Sequence, residues 1–408
     1  MKKVELLAPA GNFEKLKTAF HFGADAVYVG GKELSLRAGA ENFIKEELKE
    51  AVIYTHSLGK KIYVTVNIYA KNSDLEYAKE YFSYLKDIEV DAVIVSDPGL
   101  ISLAKEAGLE IHLSTQANTQ NGKAVEFWAN QGVSRVVLAR ELTLKEIKEI
   151  AAFNPSVELE IFVHGAMCVS YSGRCLLSNY FTGRDANRGE CAQVCRWDFK
   201  IRNERYDGKE LIVEEDDRGT YFINSKDLIL LPYLSNLLDG TVASLKIEGR
   251  MKSEFYLATI VNAYRKAIDE YYEKGKIENV QKYIDDLSSV VSHGYTNAFI
   301  EGQNLDTINY TSSKVVPDTE FAALVKEVGE DGVTVEMRNR FKKGDTLVLV
   351  SPNGNHGKSF IVEKIINEKG SEIDDAKLVQ EKLRLFVPFE VCKGDIFRVD
   401  RGKNDKQN

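Results

Sequence analysis

Cysteine and proline are scarce in this chain, at five and seven of 408 residues, and tryptophan occurs only twice. So few cysteines exclude a disulfide-stapled scaffold, and so little proline excludes collagen-like and proline-rich low-complexity chains. No run of eighteen apolar residues occurs, which removes a membrane-spanning helix. The stretch 1–11 breaks its short apolar segment with Glu5 and Pro9, unlike a secretory leader, so a cytoplasmic protein without a membrane segment is expected. Basic residues are outnumbered, 54 against 62 acidic, giving a net charge of −8. That balance excludes a sequence-blind grip on nucleic acid over the whole surface, and any RNA contact must use a local patch. His-Glu-x-x-His and Gly-x-Ser-x-Gly are both missing, so neither a zinc-protease helix nor a hydrolase nucleophile can be read. What remains is 44% hydrophobic and 28% charged, an ordinary globular composition with length for two or three structural units.

From residue 4 to about 248, short β-branched runs alternate with polar turns and apolar patterns of helical period. Strands are predicted over 4–8, 26–30, 62–67, 92–96, 111–114, 135–139, 159–163 and 243–247. Helices are predicted over 12–22, 45–57, 75–86, 123–131, 143–153, 253–273 and 280–289. The expected fold is α/β, a TIM-like (β/α)8 barrel over 1–275. An insertion at about 165–219 breaks the rhythm before a helix predicted over 226–238, and it begins at a strand end, where such barrels build their active sites. A helix and flexible linker follow over 276–318, so that a small antiparallel β-barrel domain predicted over 319–401 should be separable from the barrel. The polar tail 402–408 is expected to be disordered.

Four of the five cysteines, Cys168, Cys175, Cys191 and Cys195, fall in the insertion, separated by six, fifteen and three residues. Core packing fits poorly, because Arg188, Glu190, Gln193 and Arg196 flank the second pair, and disulfides do not suit a chain that is not exported. Metal binding remains, and spacing alone leaves zinc and an iron–sulfur cluster both open. Cys392, in an apolar stretch of the last domain, reads as a core residue.

The segment EIFVHGAMC at 160–168, continued by Gly173, Cys175, Leu177 and Ser178, resembles the signature of the collagenase-like peptidase family of unclassified catalytic type. LAPAG at 7–11, SLKIEGR at 244–250 and NRF at 339–341 extend the similarity over nearly the whole chain. Several family members are oxygen-independent hydroxylases, so the resemblance implies a [4Fe–4S] cluster on Cys168, Cys175, Cys191 and Cys195. One barrel and one β domain is similar to the layout of the tRNA branch. That likeness implies prephenate-dependent hydroxylation of wobble uridine to 5-hydroxyuridine, with tRNA as partner and a paralogous subunit left open. Two rivals stand beside it: a collagenase-like peptidase, and a noncatalytic RNA-binding or assembly subunit with a structural metal.

Candidate catalytic residues are His164, Glu248 and Arg250; His164 is read either as a proton carrier or as a packed strand-end residue. Arg140, Gln116 and Asn67, at other predicted strand ends, are candidates for holding prephenate. Arg140 and Arg250 suit a fork onto a dicarboxylate, and the plainer reading pairs them with Glu141 and Glu248. Seven basic residues against four acidic between 174 and 205 give the insertion a local charge of +3. Arg184, Arg188 and Arg196 there, and Arg340 in the last domain, are the candidate RNA contacts, against the plainer reading of a solvated loop. Tyr171, Tyr180, Phe181 and Trp197 interleave with them and suit either a flipped base or packing beneath the loop.

Overall fold

The computed structural model describes residues 3–32, 34–35, 41–153, 156–168, 170–171, 175–196, 215–216, 219–220, 225–302 and 319–401. Eight parallel strands form its first unit: β1 (Glu5–Pro9), β2 (Ala26–Gly30), β3 (Lys61–Val66), β4 (Ala92–Val95), β5 (Ile111–Leu113), β6 (Arg135–Val137), β7 (Glu158–Ala166) and β8 (Ser244–Ile247). Each pairs with the next in this order, and pairing of β8 with both β7 and β1 closes the barrel. All eight expected strands are present, because β-branched runs buried on both faces have no other packing as favourable. The outer helices start at side-chain caps: Asn12, Asn121 and Ser253 accept from Lys15, Ala124 and Tyr256 backbone N–H groups.

The lower interior is polar. Arg135 bridges Glu5, Glu158 and Glu160, and the other oxygen of Glu160 accepts from Lys246 Nζ at 2.8 Å. Burial would raise the Glu160 carboxyl, but the charges of Lys246 and Arg135 outweigh it and hold it down at about 2.

Two local expectations are corrected. The helix predicted over 226–238 is instead a strand, Asp227–Ile229, a short turn at Leu231–Tyr233 and one helical turn, Leu234–Leu237. Pro232 interrupts any longer helix. β7 also runs beyond the barrel to Ala166, offering an edge on which Asp227–Ile229 pairs antiparallel. Cys392, expected in the core, is exposed at a turn where its N–H donates to Asp395 Oδ2 at 2.8 Å.

The second unit is a curled antiparallel sheet of eight strands centred on Thr319–Gly329, which pairs with Gly332–Met337 and Ile396–Asp400. It packs directly against the barrel. Phe321, Leu324, Val350 and Ile396 belong to the barrel's own apolar cluster, and Phe321 stacks on Phe255 of the helix Glu254–Lys274 at 5.8 Å. Polar latches flank this seam: His21 to Asp395 at 2.8 Å, His356 to Asp286 at 3.0 Å, and Asn262 to the Ser351 carbonyl at 3.1 Å. No helix among the described residues is long and apolar enough to cross a membrane. The expected linker portion 303–318, the tail 402–408, Arg174 and the residues Trp197, Lys200, Arg202 and Arg205 lie outside the described residues.

Candidate active site

At the carboxyl ends of the barrel strands lies a cavity of about 900 Å³, counting its open mouth. Its wall joins five strand-end candidates, Asn67, Gln116, Arg140, Glu248 and Arg250, to Cys168, Cys175 and Cys191 of the insertion. Cys168 lies two residues past the end of β7, Cys175 precedes the helix Leu177–Thr182, and Cys191 Sγ accepts from the Gln193 N–H at 3.4 Å. Cys195 lies on the turn Val194–Arg196, which is anchored by buried Val194.

Several candidates are already held by the wall. Gln116 Oε1 accepts from Asn67 Nδ2 at 2.7 Å and Ser114 Oγ at 2.9 Å, while its Nε2 donates to the Asn67 carbonyl at 3.0 Å. Arg250 is buried and donates from Nη1 to Ser35 Oγ at 3.0 Å and Thr65 Oγ1 at 3.2 Å. Gly30 permits this, since a Cβ there would fall 2.0 Å from that nitrogen. Arg140 donates to the Ala166 carbonyl at 3.0 Å and lies over the Phe162 ring, and Tyr28 donates to Glu248 Oε2 at 3.0 Å. Gly165, at φ +109°, lets β7 pass the Glu248 backbone, where a Cβ would come 2.5 Å from the carbonyl oxygen.

His164 is not brought to this cavity. The β7–β8 register shifts between Lys246 and Ile247, pairing Phe162 and then His164. His164 turns instead into a layer with Tyr256, Tyr264 and Tyr295, at ring separations of 6.1, 5.6 and 5.5 Å. Burial pushes its pKa down to about 3, with Lys252 adding to the shift and Asp227 opposing it. A histidine neutral in the folded state but protonated near 6.5 when unfolded makes stability fall as pH drops from 6.5 towards 3. His164→Phe should therefore flatten the pH dependence, sparing about 2 kcal/mol of the loss between pH 7 and 5. Urea unfolding at both pH values measures this, and identical slopes for the two proteins would refute it.

The basic residues are arranged differently from an open phosphate cradle. Arg188 forks onto Asp74 at 2.8 and 3.1 Å and donates to the Tyr69 carbonyl, which ties the insertion to the loop after β3. A phosphate there would have to displace that carboxylate. Arg340 makes a similar fork with Asp375 at 2.9 and 2.7 Å. Arg184 is exposed; the Arg196 backbone lies on the turn with Cys195. Arg184, Arg188 and Arg340 are not among the described residues that line the cavity.

Sequence reasoning missed Lys246, Tyr28, Thr65 and Phe162, which also line the cavity. A lysine between Leu245 and Ile247 in a buried strand was the available signal, because an unpaired charge is not tolerated there. Among the described residues of the lining, Lys246, Arg140 and Arg250 set three cations against the one carboxylate of Glu248, a net positive balance. Among the described residues no three His, Cys, Asp or Glu side chains form a ready site for a metal ion.

The peptidase family U32 model matches residues 11–309, and the family's C-terminal domain model matches 317–398. A Bacillus subtilis (strain 168) protein named tRNA hydroxylation protein P1 is 42% identical over 383 residues, 92% of this chain and 90% of that one. Escherichia coli (strain K12) tRNA hydroxylation protein P is 37% identical, covering 91% of this chain and 90% of its own. A Porphyromonas gingivalis (strain ATCC BAA-308 / W83) protein named collagenase is 33% identical, covering 95% and 94%. The chain belongs to peptidase family U32.

Proposed function

Starting from that membership, we propose that this protein hydroxylates RNA, acting at carbon 5 of the wobble uridine of tRNA and depending on prephenate and a [4Fe–4S] cluster. The observation that carries the reading is the meeting of three insertion cysteines with the strand-end cations around one cavity, in a chain whose relatives bear tRNA hydroxylation names. Four soft thiols, with Cys195 beside the other three in sequence, are a donor set suited to iron–sulfur. When bound, the cluster would supply electron transfer and local negative charge, which the positive lining complements.

The remaining roles belong to the chain's own groups. The Asn67, Ser114 and Gln116 lattice fixes one wall, so those amides shape the cavity by being immobile. Arg140 and Arg250 place positive charge where a dicarboxylate would sit. Glu248, oriented by Tyr28, is a carboxylate of the lining suited to exchange a proton with a ligand. The Arg188–Asp74 fork pins the insertion beside the mouth and helps exclude water.

The peptidase rival has less support at this site, since among the described residues none in the lining is a histidine that would activate a thiol or hydroxyl. Nucleoside mass spectrometry of tRNA decides between the readings. Deleting the gene in a strain without related genes should abolish 5-hydroxyuridine and its derivatives, and re-expression should restore them. Their persistence would overturn the proposal. Peptide release by metal-free protein would favour the peptidase, and tRNA binding without product the noncatalytic subunit.

A further inference from the structure

Lys246 is a buried cation in the wall of the mouth cavity. It projects inward from β8, with its side chain 5% exposed, and its Nζ lies 2.8 Å from Glu160 Oε1. The ammonium also sits 4.5 Å from the Tyr28 ring centroid and 5.5 Å from that of Phe162. Among the described residues Glu160 is its only hydrogen-bond partner, which leaves the rest of its donors for a ligand. Glu160 cannot turn away, because its second oxygen accepts from Arg135 Nη1 at 3.2 Å. Arg135 is in turn fixed by Glu5 and Glu158. The charge at the cavity floor is therefore held by a chain of ion pairs running down the barrel axis.

Resting on the reading of this cavity as the ligand site, we infer that Lys246 is a direct ligand contact that receives a carboxylate of a small organic acid at the cavity floor, with Glu160 as its positioning residue. Arg250 and Arg140 are each partly engaged by the wall, by Ser35 and Thr65 and by the Ala166 carbonyl. Ile94, Val137, Phe162 and Tyr28 give the floor an apolar surround, which suits the carbon frame of an acid. A base still attached to RNA enters from the rim and is left the upper cavity, beside the cysteines.

Calorimetric titration of the cluster-bearing full chain with prephenate, and separately with malonate, tests the inference. Lys246→Met should weaken binding of the acid about 10- to 100-fold, the loss of one charge-assisted hydrogen bond. Lys246→Arg should retain part of the affinity. Because Lys246→Met removes one counter-charge of buried Glu160, the double variant Lys246→Met/Glu160→Gln provides a folded protein without the ammonium if the single variant unfolds. Wild-type affinity in the double variant, or binding of neither acid by the wild-type protein, overturns the inference. The functional reading fails separately: wild-type protein that binds the acid but leaves tRNA unmodified sinks that reading alone. Unchanged acid binding by a Lys246→Met protein whose parent hydroxylates tRNA sinks only the role of Lys246.

Discussion

Cys175→Ala protein should lose its cluster and its tRNA hydroxylation together, whereas Cys392→Ala protein should keep both. Cys175 lines the mouth cavity beside Cys168 and Cys191, with the helix Leu177–Thr182 starting two residues later. Changes to groups that merely support a metal ligand cost about 10- to 100-fold in metal affinity or activity, so loss of a direct thiolate should cost more. Cys392 lies on an exposed turn of the β domain, and its Sγ accepts a long contact from Asn353 Nδ2 at 3.8 Å. Iron and labile sulfide on anaerobically purified protein, about four of each per chain, and 5-hydroxyuridine formed in vitro are the measurements. Equal losses in both variants would show the ligands to be misassigned. Stoichiometric zinc without sulfide would remove the iron–sulfur reading altogether.

The contrast between these cysteines shows what local pattern carries. Barrel strands are legible because a β-branched run between polar turns determines its own conformation, and the helix caps at Asn12, Asn121 and Ser253 act within a few residues. Asn67, Gln116, Arg140, Glu248 and Arg250 were legible for the same reason, since strand ends in a closed barrel must converge on one mouth. The choice for His164 between proton carrier and packed strand-end residue was not legible, because its direction depends on a register shift against β8, and a one-residue slip sends a side chain to the opposite face. Arg188 could not be read as a clamp, because its partner Asp74 lies 114 residues away. The column from Arg135 through Glu160 to Lys246 was hidden similarly. Its charges come from β6, β7 and β8, and only barrel closure makes them one network.

A chain cut at residue 302 should fail to give a stable barrel, although the sequence presents the β domain as an appendage behind a linker. Four side chains of that domain, Phe321, Leu324, Val350 and Ile396, are buried in the barrel's cluster. At roughly 1.5–3 kcal/mol for each buried apolar side chain, their removal approaches the whole net stability of a typical domain, about 5–15 kcal/mol. The cut would also leave Phe255 bare on the helix Glu254–Lys274 and strip His21, Asp286 and Asn262 of their partners across the seam. Insoluble protein, or a melting temperature far below that of the intact chain, is the expected result. A full-length Phe321→Ala variant separates loss of the seam from loss of the domain. A large-to-small aromatic change in a core costs about 3–5 kcal/mol, and the β domain retains the rest of its own apolar core around Phe341 and Phe397. Calorimetry should then show the intact chain's transition shifted downwards. A truncated barrel melting as high as the full chain would make the seam a passive contact, and an unshifted Phe321→Ala protein would locate its strength in the polar latches instead.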